Sequence, residues 1–365
     1  MKIKLKTTKF QSMVSKAIKG AGNNKLLPIT NLICIEKSDG FLRLRTTDTA
    51  NYVEVVSEMP EGDDMCVVVP VDTFGKLIGK MTSESITLSV EDGTHLEILG
   101  NGKYKLALSV DEDGSIDFPM PNFTGDELGT INKTTIKNIL DVNRASVSKK
   151  MDTPAFCGYY MDDIVITTDE DTICLNSINV TDTPILVSSE MMDLLSMFTS
   201  EKITVYKSPD NGDLRFETDE LIVQGPENDD KELFPVDALR AYLDETFTSM
   251  CKVPKLSLIN TMDRLSLFIT PYDKNGAYLT FTKRGLDIKS KESSSSEVIN
   301  YLASENHIAY KCCVDVPQLA TQLSAIPGDE VEMWYGHDAA IKLVSGNVTR
   351  IISLIEDDAL QSEQA

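Results

Sequence analysis

Three histidines, seven cysteines and 57 Asp or Glu are the side chains through which this 365-residue chain could do acid–base, nucleophilic or metal chemistry. His95, His307 and His337 stand far apart, and none is spaced with a Cys, Asp or Glu as metal ligands usually are. The cysteines (Cys34, Cys66, Cys157, Cys174, Cys251, Cys312 and Cys313) are odd in number and lie mostly inside apolar, strand-like runs. That pattern predicts reduced thiols packed as small hydrophobes. Cys312 and Cys313 would point to opposite faces of a strand, which disfavours both a disulfide and a shared metal. Asp111-Glu112-Asp113-Gly114 has the acidic flavour of a calcium loop, but Asn122 stands where such a loop needs its bidentate Glu, so ordinary turn chemistry explains it. Gly20-x-Gly22 lacks the Gly-Lys-Ser/Thr that completes a phosphate loop, and no Ser or Cys sits in a nucleophile elbow. The expectation is a chain with no catalytic residue, no metal and no cofactor. A β-rich hydrolase using paired carboxylates, and a structural β protein, remain as alternatives.

The elements around these residues are mostly strands. Runs of Val, Ile, Leu, Thr and Tyr alternate with polar residues and break at Asp-Gly or Asn-Gly, as in LICIEKSDGFLRLRTTD. Shorter stretches carry a helical period, with one stripe of Phe10, Met13, Val14, Ala17 and Ile18 and another of Phe74, Leu77, Ile78 and Met81. No apolar run approaches the ~20 residues that span a bilayer, and the start, MKIKLKTTKF, has no signal-peptide core. A cytoplasmic location follows as the expectation.

One order of elements recurs three times. A strand runs into a helix and out through a second strand in VVVPVDTFGKLIGKMTSESITLSVEDG, in ILVSSEMMDLLSMFTSEKITVYKSPDNG and in CCVDVPQLATQLSAIPGDEVEMWYGHD. Each copy opens with a helix: TKFQSMVSKAIKG, INKTTIKNILDVNRASVSKK and PKLSLINTMDRLS. Phe118-Pro119 closes the first copy and Phe234-Pro235 the second, with linkers expected near 120–128 and 236–252. A repeat of this size is a small domain rather than a solenoid unit. The expected fold class is α+β, with three domains (1–122, 127–238 and 250–356), each with two helices on antiparallel sheets, and an acidic tail at 357–365.

With LLPITNLICIEKSDGFLRLRTTD, VVVPVDTFGKLIGKM, GNGKYKLALS ahead of Phe118-Pro119, and the last strand VTRIISLIED, the chain resembles the bacterial-type sliding clamp, the β subunit of the replicative DNA polymerase. The resemblance runs from residue 1 to about 356. It implies a non-catalytic, six-domain ring made by two copies head to tail around double-stranded DNA. The implied partners are DNA bound without sequence preference, a DNA polymerase, a clamp loader and a second copy of the chain.

The formal charge of −22 argues at first against nucleic acid, but its distribution does not. Segments 8–20, 71–82 and 131–150 hold ten Lys or Arg against two Asp. Lys9, Lys16, Lys76, Lys80, Lys133, Lys137 and Arg144 fall beside or opposite the apolar stripes of their helices, so in a ring they would line the hole against phosphate backbone. The resemblance also implies a hydrophobic pocket for a short partner peptide, at Phe156, Thr168, Ile173, Pro235, Leu239, Ile351 and Ser353. Where bacterial clamps follow Thr-Asp with Gly-His-Arg-Leu, this chain has Glu170-Asp171-Thr172-Ile173. The apolar position stays and the basic ones go, which implies a different preferred peptide and points to a phage origin. Tyr104 and Leu106, with Phe268 and Ile269, are implied at the facing surfaces of the dimer joint. Lys207 and Lys342 serve as strand lysines outside the lining.

Overall fold

The computed structural model describes every residue except 25, 110–117, 120–121, 274, 292–294, 358–359 and 361–365. The acidic 111–114 run and most of the tail lie outside the described residues. The described chain forms two compact units, Met1–Ile136 with Glu190–Glu227, and Lys137–Ser189 with Asn228–Ala365.

Seven α-helices occur among the described residues: α1 (Thr7–Ala17), α2 (Val71–Gly79), α3 (Lys133–Asn143), α4 (Ser189–Leu195), α5 (Val236–Asp244), α6 (Lys255–Leu265) and α7 (Val316–Ser324). In α1 the expected stripe is buried at Phe10, Met13, Val14 and Ala17, each large side chain worth about 1.5–3 kcal/mol of burial. Ile18 leaves it because the chain tightens into a 3₁₀ turn at Ile18–Gly20. Phe10 meets Phe74 of α2 edge to face at 6.0 Å. The Gln11 amide donates to the carbonyls of Ile78 and Met81 (both 2.9 Å), closing the end of α2. Gly20 is required by close packing, since a Cβ there would lie 2.5 Å from the Val53 side chain.

In the first unit an eight-stranded antiparallel sheet runs Met65–Pro70, Leu32–Ser38, Phe41–Thr47, Tyr52–Glu58, Leu221–Gly225, Leu214–Glu217, Ile203–Lys207 and Asp126–Ile131. A four-stranded sheet accompanies it: Lys2–Lys6, Ser85–Ser89, His95–Leu99, Lys103–Ala107. The second unit has a nine-stranded sheet, Ile185–Ser188, Gly158–Met161, Val165–Thr168, Thr172–Asn176, Val348–Ser353, Ala340–Ser345, Glu330–Tyr335, Ser249–Pro254 and Ala303–Glu305. Its four-stranded sheet is Ser296–Ile299, Leu286–Ser290, Gly276–Phe281 and Tyr310–Asp315.

One hairpin turn recurs. The hydroxyls of Thr47, Thr168 and Thr282 accept the backbone N–H of Thr49, Glu170 and Arg284 (2.9, 3.2 and 3.2 Å). They donate to the carbonyls of Asn51, Thr172 and Gly285, each at 2.8 Å.

The stretch expected as the second linker is a helix followed by a strand. Val236, Leu239, Tyr242 and Leu243 give α5 its period, and Asp237 suits the positive end of its dipole. Of the acidic residues that suggested a linker, Asp237 lies in the first turn of this helix and Asp244 and Glu245 at its end.

Candidate nucleic-acid face, peptide pocket and subunit edges

Lys9, Lys76, Lys80, Lys133, Lys137 and Arg144 are exposed and Lys16 is half-buried. Each follows from helical spacing, with the opposite stripe buried at Phe10 and Val14, Phe74 and Ile78, and Ile136 and Ile139. Lys76 is paired with Asp72 at 3.7 Å and Lys133 with Glu201 at 2.8 Å. Lys9, Lys16, Lys80 and Lys137 have no ion pair among the described residues, so their charge faces solvent unneutralised.

The two strand lysines named as lying outside the lining are both engaged with the protein. Lys207 is paired with Glu227. Lys342, only 8% exposed, donates to the carbonyls of Tyr242, Leu243 and Glu245 (3.5, 3.3 and 3.2 Å) where α5 ends, and lies over the Phe247 ring at 4.8 Å. Burial holds its pKa below the ordinary lysine value.

Of the seven expected pocket residues, Phe156, Ile173, Leu239 and Ile351 share one apolar cluster in the second unit. Ile173 and Ile351 are cross-strand partners. The cluster also holds Tyr160, Phe234, Phe247, Val236, Tyr242 and Trp334, which sequence reasoning missed. Tyr160 stacks on Phe234 at 5.5 Å, and Phe156 meets Phe234 edge to face at 6.0 Å. Thr168 is buried with its hydroxyl spent in the turn, while Pro235 and Ser353 are exposed. Pro235 rims an open depression of about 420 Å³ with Tyr160, Phe234 and Val236. Arg240 fastens α5 to the adjoining hairpin through Asp162 (2.6 Å) and Asp163 (2.5 Å).

On the other face of the same strands lies a polar core. Arg350 is fully buried, yet among the described residues it has no carboxylate partner. Its guanidinium donates to Gln322 Oε1, to Ser146 Oγ (3.3 Å), to the Val142 carbonyl near the end of α3 and to the Ala325 carbonyl (3.4 Å) at the end of α7. The negative ends of two helices stand in for an acid.

Tyr104 and Leu106 lie on Lys103–Ala107, a terminal strand of its sheet, with Tyr104 exposed and Leu106 half-buried. Phe268 is 49% exposed in a 3₁₀ turn beyond α6, while Ile269 packs on the core of the second unit. Ser296–Ile299 is likewise terminal in its sheet and exposes Val298. Among the described residues no group of three His, Cys, Asp or Glu could hold a metal, and no helix is long and apolar enough to cross a membrane.

The repeated strand–helix–strand units, the antiparallel sheets and the cationic helices define the fold of a DNA sliding clamp. Within that class it is the fold of the bacterial-type DNA polymerase III beta subunit. The chain is similar to the DNA polymerase sliding clamp of Bacillus subtilis with a TM-score of 0.83, covering 98% of this chain and 99% of that one at 15% identity. The DNA polymerase III beta subunit of Thermotoga maritima gives 0.79, with 98% and 99% covered at 17% identity. The DNA polymerase III subunit beta of Pseudomonas aeruginosa gives 0.84, with 98% and 100% covered at 13% identity. No family model and no curated protein matches the sequence.

Proposed function

We propose that this chain is a sliding clamp, a non-catalytic processivity factor that closes with a second copy into a ring around double-stranded DNA and tethers a DNA polymerase. Its three clamp domains would be 1–122, 127–238 and 250–356, and it would act in the cytoplasm, the host's if the chain is phage-borne. The observation that carries this reading is the set of exposed lysines on α1, α2 and α3 in a chain of net charge −22. Such a surface attracts phosphate without reading bases, while topology supplies retention.

The unpaired strand edges at Lys103–Ala107 and Ser296–Ile299 support the dimer, because open edges are liabilities unless covered. Tyr104, Leu106, Phe268 and Ile269 would lie at that joint. The cluster of Phe156, Ile173, Leu239 and Ile351, rimmed by Pro235, with Thr168 across from Ile173 on the adjoining strand and Ser353 on the strand of Ile351, would take the short peptide of a polymerase or clamp loader.

Retention on nicked circular DNA after loading, measured before and after the circle is cut, tests the reading. Wild-type protein should stay on circles and run off linear DNA. Lys80→Glu with Lys137→Glu should lower loading and reduce the log–log salt slope of binding by up to about 2. Tyr104→Asp should halve the mass in solution and abolish retention. Equal retention on linear DNA, or a dimer unaffected by Tyr104→Asp, overturns it.

A further inference from the structure

In the first unit the seam between Tyr52–Glu58 and Leu221–Gly225 occupies the place in its repeat that the Ile173–Ile351 seam occupies in the second. The turn preceding it is the same Thr-anchored turn, with Thr49 and Glu170 both left-handed at φ 84° and 80°. Tyr52 pairs with Gln224 as Ile173 pairs with Ile351, and Phe118-Pro119 stands beside the first seam as Phe234-Pro235 stands beside the second. No helix corresponding to α5 covers this seam among the described residues, and a cavity of about 250 Å³ is open over it. Its walls are Tyr52, Phe118, Pro119 and Ile222, with Arg45, Glu54, Arg215 and Gln224 supplying polar atoms.

Each guanidinium in this cavity has a carboxylate beside it, although Arg215 Nε, close to Glu217, makes no hydrogen bond. Arg45 binds both Glu36 and Glu54, and Arg215 pairs with Glu217 at 2.8 Å. A charged ligand would have to break these pairs to gain its own. Gln224 is different: it is 3% exposed, faces the cavity, and its side-chain amide has no hydrogen-bond partner among the described residues. The access that its amide keeps is to this cavity, so a ligand that fills the cavity must supply hydrogen-bond partners or leave the amide buried without them, at a cost. The amide presents a donor and an acceptor side by side, which a second amide satisfies with one paired contact.

We propose that this cavity is a second peptide site, one that takes an uncharged amide side chain, Gln or Asn, from an extended partner segment and packs its methylenes against Tyr52, Phe118 and Ile222. The proposal rests on the reading of the second-unit seam as a peptide pocket, and it assigns the first-unit seam the opposite preference. The size fits one or two side chains, so a single residue should bind weakly and gain strength only as part of a longer segment.

The test is an NMR titration of the full-length chain with two blocked amino acids of similar size, N-acetyl-glutamine methylamide and N-acetyl-leucine methylamide. The glutamine probe should shift the Gln224 side-chain amide and the Ile222 methyl signals saturably, with the leucine probe at least about tenfold weaker there, since a site built to hydrogen-bond rejects the analogue that cannot. Gln224→Leu should abolish the glutamine response without lowering Tm, because that amide has no hydrogen bond within the described chain to lose. No saturable shift at Gln224, equal response to both probes, or a response that survives Gln224→Leu overturns the proposal. Shifts from the leucine probe at Phe156 and Ile351 read the second-unit pocket separately. If those appear while Gln224 stays silent, only this inference falls; if both seams stay silent, the peptide-pocket reading falls with it.

Discussion

In the first unit's seam the helix-facing cross-strand pair is Val53 and Val223, and the outer positions are Tyr52, Glu54, Ile222 and Gln224. In the second unit's seam the helix-facing pair is Cys174 and Arg350, and the outer positions include Ile173 and Ile351 beneath Leu239 and Phe234. The two seams share register and turn but exchange polar and apolar faces. A strand pair fixes which residues stand opposite each other; it does not fix which face is dry. That is decided by what covers the sheet. Here α5 dries the outer face of the second seam, and the converging ends of α3 and α7 solvate the inner one with backbone carbonyls.

The largest expected effect comes from removing the buried cation. Arg350→Ala takes the guanidinium from the carbonyls of Val142 and Ala325, leaves Gln322 Oε1 with Ser146 Oγ as its remaining donor, and should cost about 3–5 kcal/mol. Val223→Ala, the corresponding change in the first seam, should cost about 2 kcal/mol by lost burial alone. Urea unfolding of the two variants compares them directly, and equal costs would mean that the polar face of the second seam adds nothing beyond packing.

A smaller effect is expected at the tether of α5. Arg240→Ala removes the contacts to Asp162 and Asp163 and should loosen α5 by about 1 kcal/mol, given the partial exposure of the pair. Hydrogen exchange would read this as faster exchange confined to the α5 amides, with the first seam unchanged. Faster exchange throughout the second unit would instead make the tether part of the core.

The smallest effect concerns Lys342. Burial lowers its folded pKa below the unfolded value of 10.5, so the unfolded chain binds more protons between the two, and this residue's contribution makes stability rise with pH across that window. Lys342→Met should flatten the alkaline stability profile there. An unchanged slope would show that the amine is not desolvated in solution.

Much of this architecture is legible in the sequence, and the rest is hidden for definite reasons. The helical stripe of Phe10, Met13 and Val14, the Phe74 and Ile78 stripe, and the outward lysines follow from period alone, because one apolar stripe on a short helix has one place to go. Ile173 and Ile351 are cross-strand partners, a pairing between strands so far apart in the chain that no local period shows it; only the family resemblance put the two residues together. Helix α5 was hidden by the acidic residues in its first turn and at its end. Arg350 and Lys342 were hidden because each is a single polar residue in an apolar strand, and only the three-dimensional arrival of helix carbonyls explains it. Gln224 had no signal beyond its place after Val223.

The Arg350 junction has a consequence for how the molecule comes apart in acid. A carboxylate partner is lost when it takes up a proton, whereas peptide carbonyls do not titrate. Glu36, beside Arg45, is opposed by desolvation, but hydrogen bonds from Ser38 and Arg45 and the nearby guanidinium charges together hold its carboxyl below the usual carboxylate range. The stability it adds is therefore present above the unfolded value and fades as pH falls through the folded one. Acid thus weakens the Glu36–Arg45 contact beside the first seam, while the carbonyls around Arg350 in the second keep their cation. One fastening of the fold has a proton for its key, and the other has none.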